Sequence, residues 1–362
     1  MKIVFFSSIR WDFSWHRQQE IMSMLSKKGH EILFVQPCNK RKPFHTEFYK
    51  VQENVWILTP LGLPYERCLH SVNFVNGILA RYAICRAMKE LSFENPIVWF
   101  DRVHGIDNSF FLKYNVVYDL IDEILAFGKV RNKKMLIDIE NRVLRNADLL
   151  ISSSRTLLER KIEQSGRVGE NIFIPNGVDT NRFSVLKIKN QQPVIGFVGD
   201  ISRRSINSEL VRECAQEHPE WKFYFVGPCM KEFREDLCKG LYNVEVHHQV
   251  PGEDVPNVIS SFDVGIIPYR HEQDDMDYVF PRKACEYLAA GKPVVSTNLK
   301  EIRYLEPMVF IADDAAKFGN AIEGALKLDE NYSSERRKFA LQFDWDILLA
   351  ELIRTLERLI KE

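Results

Sequence analysis

Short apolar runs alternate with longer helical segments along most of this 362-residue chain. The first cycle has an apolar run at 2–6, a helical segment from about 14 to 28 that stops at Gly29, and a second apolar run at 30–35. A strand, a helix and another strand in succession are typical of a parallel sheet, because parallel neighbours need a long crossover connection. Similar runs follow at 55–58, 97–100, 116–118, 148–151 and 171–174. The pattern predicts an α/β fold with a doubly wound parallel sheet.

A second series of the same kind begins at Pro193. Its predicted strands lie at 194–198, 222–226, 244–246, 264–267 and 294–297. Between the two series lie a turn cluster at 175–179 and a polar segment at 184–193, which together have the composition of a linker. The chain is long enough to bury two separate cores. We therefore predict two domains, 1–180 and 181–343, each built on its own parallel sheet.

The charge balance and the cysteines limit the class of protein. Lys and Arg number 49 and Asp and Glu number 50, so the net charge of −1 argues against a dedicated nucleic-acid-binding protein. The seven cysteines include no CxxC pair, which favours reduced thiols over a disulfide framework or a zinc site. No apolar run approaches the ~18 residues of a membrane span, and the N-terminal run is too short for a signal peptide. We expect a cytoplasmic protein in which any membrane contact is peripheral.

The segment 280–297 carries the clearest site motif. It has the pattern of a helix that opens near Pro281, ends at Gly291 and passes into a β-branched strand. Lys283 and Glu286 are three residues apart and share a face near the helix N-terminus, where free N–H groups and the helix dipole favour phosphate. We predict that Lys283 binds phosphate and that Glu286 accepts hydrogen bonds from sugar hydroxyls.

The loop 7–17 leaves the carboxyl end of the first strand, where ligands bind in such sheets. It contains no glycine, so the dinucleotide fingerprint is absent. Its residues Trp11, His16 and Arg17 instead suggest a pocket for a polar organic ligand. Aromatic packing beneath a surface loop is an equally good interpretation.

The loop 201–207 leaves a strand of the second series and carries the adjacent pair Arg203 and Arg204. Arginine suits the bidentate binding of phosphate oxygens. Arginine pairs are also common on ordinary surfaces, so the position of the pair, more than its composition, favours a phosphate-binding role.

Three carboxylates, Asp119, Asp122 and Glu123, follow the apolar run 116–118. Acids at such a point either begin a helix or belong to a site. Asp122 and Glu123 are suitably placed to begin a helix. Asp119 is too close to the strand for that, which favours a site role.

The segment from about 69 to 91 has apolar residues at helical spacing and predicts one amphipathic helix. Basic side chains accompany it at Arg67, Arg81, Arg86 and Lys89. Such a helix either rests on an anionic membrane or covers a sheet, and the second arrangement is the commoner one.

Several fragments, taken in order, resemble a known family. They are Val117–Glu123, Asn146–Ser154, Asn176–Asp179, Ile195–Gly199, Phe262–Pro268 and Glu286–Val295. Their succession resembles the GT-B glycosyltransferases of the group 1/family 4 kind, in the branch that makes bacterial surface polysaccharides such as teichuronic acid or xanthan.

The resemblance implies a fold and an activity. It implies two Rossmann-like domains facing a cleft, the first binding the acceptor and the second the donor, with a C-terminal helix at 344–362 that crosses back to the first domain. The implied reaction moves a sugar from a nucleoside-diphosphate-sugar donor to a hydroxyl of a glycan or lipid-linked glycan. It requires neither a metal nor another cofactor, because cationic side chains and helix N-termini neutralise the leaving diphosphate.

The resemblance also implies donor contacts. Glu286 matches the residue that binds the ribose hydroxyls, and Lys283, Arg203 and Arg204 match cations that neutralise the diphosphate. The loop around Val250 matches one that holds the base. This chain departs from the family just before the helix. Tyr278 stands in place of a glutamate, and Phe280 and Pro281 belong to a segment that replaces a Gly-x-Pro pattern, so the identity of the donor sugar depends on this segment.

For the acceptor, the resemblance places Asp119 where retaining relatives often have a histidine. A carboxylate there suits a general base in an inverting reaction, with Asp122 as the alternative. His104 and His16 are further candidates on the acceptor side.

Three rival interpretations have the same architecture. A nucleotide-sugar 2-epimerase needs an acid cluster that deprotonates a sugar carbon. A non-catalytic, two-lobed nucleotide- or sugar-binding protein is expected to carry an export signal, and none is visible. The third is a family member without activity.

Overall fold

A computed structural model describes residues 1–361 except 14, 39–43, 64–69, 104–112, 124–132, 184–187, 189, 271–275 and 329–330. The chain forms two compact units. The first contains Met1–Ile174 and Leu349–Glu362, and the second contains Pro175–Leu348. The sequence pattern places the boundary slightly later, after residue 180. His104 and much of the polar segment 184–193 lie outside the described residues.

In the described part of the first unit, eight strands form one sheet. In chain order they are β1 (Lys2–Phe6), β2 (Glu31–Val35), β3 (Glu47–Gln52), β4 (Val55–Thr59), β5 (Ile97–Phe100), β6 (Val116–Leu120), β7 (Leu149–Ser152) and β8 (Glu170–Phe173). Their order across the sheet is β3-β4-β2-β1-β5-β6-β7-β8. Every neighbouring pair is parallel except β3 and β4. The central strands β1 and β5 are buried almost throughout, as their continuous apolar composition predicts.

The strand β3 lies in a part of the chain whose polar and basic composition is typical of a loop. Its residues pair antiparallel with β4, with Phe48 opposite Leu58 and Tyr49 opposite Ile57. An edge strand keeps polar and charged side chains on its open side, so its composition resembles that of a loop. Burial along β3 is slight, which explains why no apolar alternation marks it.

Four helices lie between strands in the part of the first unit that the structure describes. They are α1 (Arg17–Lys27), α2 (His70–Glu90), α3 (Lys133–Asn146) and α4 (Arg155–Ser165). In α4, Ser154 caps the first turn by accepting a hydrogen bond from Leu157 N, and Gly166 ends the helix with φ +68°. The predicted helix at 69–91 is confirmed by α2.

The second unit contains a six-stranded, fully parallel sheet among its described residues. Its strands are β9 (Val194–Val198), β10 (Lys222–Val226), β11 (Val244–His247), β12 (Val264–Ile267), β13 (Val294–Ser296) and β14 (Val309–Ile311), in the order β11-β10-β9-β12-β13-β14. The helices are α5 (Ser208–Glu217), α6 (Lys231–Cys238), α7 (Val255–Ser260), α8 (Arg282–Ala289), α9 (Ala315–Leu326) and α10 (Asn331–Ala340). Its core includes the buried rings of Phe197, Phe223, Phe225 and Phe318. The predicted α/β class is confirmed, with one sheet that is parallel throughout and one that is parallel apart from the β3–β4 pair.

The C-terminal helix α11 (Trp345–Lys361) begins in the second unit and continues into the first. In the first unit, Asn115 donates a hydrogen bond to Leu359 O at 3.1 Å, and Arg358 pairs with Glu170 at 2.6 Å. The predicted return of this helix to the first domain is confirmed. Leu349, Leu352 and Leu356 of this helix are fully buried, whereas Ile347 is 53% exposed.

Both sheets have a point where the strand order reverses. In the first unit it lies between β1 and β5, and in the second between β9 and β12. Connections leave the two neighbouring strands in opposite directions there, which opens a crevice at their carboxyl ends. Each unit therefore has one place where its topology favours a ligand.

Candidate functional site

The start and end of α8 follow the predicted signals. Pro281 immediately precedes the helix, and Gly291 follows it with φ +75°, a conformation that favours glycine. Lys292 N donates to Tyr287 O at 2.9 Å, which closes the last turn. The ammonium of Lys292 is buried and donates to Ser260 O and Phe262 O at 2.7 and 2.6 Å. These bonds attach the end of α8 to the end of α7 and give the helix a fixed position.

The side chain of Lys283 lies against the carboxyl end of β9. A Cβ added to Gly199 would collide with Lys283 Cε and lie 2.7 Å from its Nζ. The Nζ also lies 5.9 Å from the ring centroid of Phe197. On the next strand, a Cβ on Gly227 would collide with Gly199 O. The two glycines therefore let backbone and lysine approach closely, and they place a cation where the strand order reverses.

Glu286 lies on the buried side of the same helix. It is 7% exposed, and its Oε1 is 2.9 Å from Nε of Arg282, four residues earlier. The next residue, Tyr287, accepts a hydrogen bond from Val198 N at 3.0 Å, and burial raises the pKa of its hydroxyl. Sequence reasoning missed both contacts. The i,i+4 spacing of Arg282 and Glu286 is a signal that could have shown the first.

The other predicted donor residues are dispersed in the second unit. Arg203 pairs with Asp236 of α6 at 3.0 Å and lies over the ring of Phe233, so its guanidinium is directed onto that helix. Arg204 is exposed on the same turn, and Val250 is half-buried ahead of a 3-10 turn at Gly252–Asp254.

The segment before α8 divides into an accessible part and a core part. Tyr278 is half-buried at the end of a 3-10 turn, Met276–Tyr278. Phe280 is 2% exposed and packs against Phe343, with ring centroids 5.7 Å apart. Among these departures from the family pattern, Tyr278 is thus the one with a partly accessible side chain, whereas Phe280 is a core residue.

In the first unit, Asp119 lies within β6, because the strand continues to Leu120 beyond the predicted end at residue 118. The side chain is 2% exposed, and its Oδ2 lies 3.4 Å from Nε of Arg17. Burial raises the pKa of Asp119, and Arg17 opposes that rise. Asp122 follows the strand and is exposed. The structure thus joins two predicted site residues, Asp119 and Arg17, in one buried ion pair.

A second buried charge cluster was not predicted. Lys161 of α4 donates to Glu123 Oε1 at 2.8 Å and to Glu140 Oε2 at 2.7 Å. The hydroxyl of Tyr118 donates to Glu140 Oε1 at 3.1 Å. Burial raises the pKa of Glu140, and Lys161 opposes that rise. The cluster connects α3, α4 and the end of β6, so Glu123 here contributes to the packing of the fold.

The loop after β1 contains a packed aromatic residue as well as exposed aromatic residues. Trp11 is 9% exposed and packs on Phe34 at 5.0 Å, which is the packing interpretation. Beyond it, Phe13 is 61% and Trp15 is 49% exposed. His16 precedes α1, and its ring stacks on Phe13. The loop therefore combines a buried anchor with exposed rings.

Comparison with known proteins identifies the second unit. Residues 192–327 match the model of the family described as Glycosyl transferases group 1. The chain is 31% identical over 242 residues to the putative teichuronic acid biosynthesis glycosyltransferase TuaH of Bacillus subtilis (strain 168). That match covers 61% of this chain and 60% of TuaH, which is less than two thirds of the relative's length.

Solved structures resemble the whole chain at low sequence identity. Sucrose-phosphate synthase from Thermosynechococcus elongatus superposes with a TM-score of 0.77 at 15% identity, and the match covers 99% of both chains. A glycosyltransferase from Rickettsia africae ESF-5 gives 0.75 at 14% identity, with 100% of this chain and 99% of the other covered. Anabaena HepE in complex with UDP gives 0.72 at 16%, with 99% of this chain and 100% of the other covered. The chain therefore has the GT-B fold, and its residues 192–327 match the Glycosyl transferases group 1 family.

Proposed function

We propose that the protein is a glycosyltransferase that moves a sugar from a nucleoside-diphosphate-sugar to an acceptor hydroxyl in bacterial polysaccharide or glycoconjugate synthesis. The observation that carries the proposal is the position of the Lys283 side chain. This residue brings an ammonium against Gly199 at the crevice of the second sheet, within the segment that matches the family. A cation at that point and the N-terminal end of α8 suit a diphosphate leaving group.

In this proposal the second unit binds the donor and the first unit binds the acceptor. Lys283 neutralises the diphosphate, and Glu286 accepts hydrogen bonds from the ribose. Contacts of the donor with Arg203, Arg204, Val250 and Tyr278 stay predictions, as does the absence of a metal. The relative TuaH is named for teichuronic acid synthesis, which supports a glycan or lipid-linked glycan acceptor in the cell envelope.

Binding of a nucleotide is the first test. HepE structures hold UDP and UDP-glucose, so these are the first probes, followed by other nucleoside diphosphates and their sugars. A ligand at 100 times its dissociation constant should stabilise the fold by about 2.7 kcal/mol. We expect UDP to raise the melting temperature in the presence of EDTA, with uridine as the control that lacks phosphate. No shift with any nucleoside diphosphate or its sugars would contradict the proposal.

Product analysis separates the transferase from the epimerase. An epimerase converts the nucleotide-sugar without an acceptor and releases a changed sugar. A transferase joins the sugar to the acceptor and leaves the nucleoside diphosphate. Chromatography of the reaction with and without a crude lipid-linked glycan fraction distinguishes the two.

A peripheral contact of α2 with anionic lipid is the second part of the proposal. The side chains of Val75, Ile78 and Tyr82 recur at positions i, i+3 and i+7, and they are 39%, 46% and 71% exposed. Between residues 75 and 89 the helix has three basic residues and no acidic one. An exposed apolar stripe with basic neighbours suits the interface of an anionic bilayer.

None of the helices described here is long and apolar enough to cross a membrane. We propose a cytoplasmic protein on the inner face of the cell membrane.

Vesicle sedimentation tests the membrane contact. We expect the protein to co-sediment with phosphatidylglycerol vesicles at low salt and to remain in solution with phosphatidylcholine vesicles. Ile78→Ser combined with Tyr82→Ser should weaken binding by about tenfold or more, because two apolar side chains lose their burial in lipid. Tyr242→Ser removes a ring of the second unit that is 82% exposed and serves as the control. Equal binding by both variants would exclude α2 as the contact.

A further inference from the structure

The loop between β1 and α1 presents aromatic rings to solvent. It begins at the carboxyl end of β1, which lies in the interior of the first sheet between β2 and β5. Ligands bind at this end of such sheets. The rings of Phe13 and Trp15 are both exposed, although aromatic side chains carry a large apolar surface that is usually buried. Two exposed rings at this place therefore need an explanation.

The ring of Trp15 is held in place although it is exposed. Its Nε1 donates a hydrogen bond to Glu20 Oε2 in the first turn of α1. The ring also lies edge-to-face with Trp11, with centroids 5.7 Å apart. Trp11 in turn packs on Phe34, and its backbone N donates to Gln36 Oε1 at 2.8 Å. The exposed face of Trp15 is therefore preformed, so a ligand that packs on it immobilises little further side-chain freedom.

Phe13 is held in a similar way. Its ring stacks on the imidazole of His16, with centroids 5.8 Å apart and planes inclined by 9°. Its backbone N donates to Arg10 O at 3.2 Å, which closes a turn of the loop. His16 N donates to Gln19 Oε1 of α1 at 3.1 Å. Both exposed rings are thus attached to the start of α1.

Accessible polar groups lie beside the rings. The carboxylate of Asp12, the residue before Phe13, is 68% exposed and lies 3.1 Å from Nε of Arg10. The same guanidinium is 3.6 Å from Glu47 of β3. Burial raises the pKa of the Tyr49 hydroxyl, and the charges of Asp12 and Glu47 add to that rise. A ligand on the rings therefore meets hydrogen-bonding groups as well as apolar faces.

This combination suits a sugar better than a lipid surface. A sugar ring has apolar C–H faces, which pack on aromatic rings, and hydroxyl groups at its edge, which donate charge-assisted hydrogen bonds to carboxylates. Anionic bilayers attract basic surfaces. In the network described above, the acids Asp12, Glu20 and Glu47 outnumber Arg10, whereas the exposed stripe of α2 has basic neighbours. The charge around the rings therefore favours a glycan over an anionic membrane.

We propose that Phe13, Trp15 and Asp12 form a subsite of the first unit that binds a sugar ring of the acceptor, an assignment that rests on the proposed glycosyltransferase function. The C–H face of the sugar packs on the two aromatic rings, and the carboxylate of Asp12 accepts hydrogen bonds from the sugar hydroxyls. These contacts do not change during the transfer reaction, so they contribute equally to binding of the acceptor and of the transition state. The subsite therefore selects the acceptor and leaves the rate of the chemical step unchanged.

Saturation-transfer difference NMR of the full chain tests the subsite directly. The probes are the methyl glycosides of glucose, galactose, N-acetylglucosamine, N-acetylgalactosamine and glucuronic acid. We expect transfer from the protein to the C–H protons of one ring face in at least one of these sugars. Phe13→Ser combined with Trp15→Ser should weaken this binding by about tenfold or more, because two apolar faces are lost. Trp15→Phe keeps a ring and should bind nearly as well as the unaltered protein.

Tyr332→Ser is the matched control, since Tyr332 of α10 is 48% exposed and Trp15 is 49% exposed. This variant should bind the sugars as the unaltered protein does. Kinetics with a lipid-linked glycan fraction give an independent readout. The double variant should raise the KM for the acceptor by about tenfold at nearly constant kcat, which is the signature of a lost uniform binding contact. Its affinity for UDP should not change, which shows that the second unit is intact.

Three results would overturn the subsite. They are binding of none of the five sugars, equal binding by the double variant, and a double variant that keeps sugar binding but no longer co-sediments with phosphatidylglycerol vesicles. The last result would assign the rings to lipid. The subsite and the proposed function can fail separately. Absence of UDP binding contradicts the glycosyltransferase, whereas the NMR experiment with sugars alone reports on the rings of the first unit.

Discussion

Replacing Lys161 with Met is expected to lower the free energy of unfolding by about 3–5 kcal/mol, because the change leaves two buried carboxylates without their shared cation. Lys161 is 1% exposed, and it donates to both Glu123 and Glu140. Among the described residues, Arg160 is a further cation beside the cluster, 3.6 Å from Glu123 and half-exposed. Urea unfolding at pH 7 measures the loss.

The pH dependence of this variant gives a second check. Burial already raises the pKa of Glu140, and removal of Lys161 raises it further. The folded variant then binds protons that the unfolded chain does not hold, so its stability should fall as the pH rises from about 5 to 7. The deficit relative to the unaltered protein should be smaller at pH 5.

Two further variants make the result decisive. Lys327→Met removes an exposed i,i+4 pair with Glu323 and should leave the free energy of unfolding nearly unchanged. If Lys161→Met does not fold, the combination with Glu123→Gln and Glu140→Gln should restore folding, since it removes the uncompensated charges. A loss below about 1 kcal/mol for Lys161→Met would show that the cluster does not depend on its lysine.

The second large effect is expected at Lys283. Lys283→Met keeps the length of the side chain and removes its charge, so UDP should bind roughly 10- to 100-fold more weakly, the loss of one charge-assisted interaction of about 1.5–3 kcal/mol. Lys231→Met, at an exposed position on α6, is the matched control. Isothermal titration calorimetry with UDP measures both variants.

Gly199→Ala tests the same site through its geometry. The added Cβ would collide with Lys283 Cε, so the lysine has to leave its position. UDP affinity should fall in this variant although the charge is retained. Unchanged affinity in both Lys283→Met and Gly199→Ala would place the diphosphate elsewhere.

The elements that the sequence predicts are those marked by signals from neighbouring residues. The limits of α8 were predictable because Pro281 and Gly291 act through backbone preferences that depend on neighbouring residues alone. The strands of both sheets were recognisable because strands buried on both faces are continuously apolar. The edge strand β3 has one open side and polar residues, so no such run marks it.

The sequence by itself determined the two parallel sheets, the GT-B resemblance and the helix face shared by Lys283 and Glu286, since three-residue spacing places side chains together in any helix. Only the tertiary structure decided which charges meet. Asp101 and Ser8 are 93 residues apart, Lys161 and Glu123 are 38 apart, and Asp119 and Arg17 are 102 apart. Periodicity relates residues within one element, whereas these contacts depend on the order of strands in the sheet. Asp101 meets Ser8, for example, because β1 and β5 are neighbours in the first sheet.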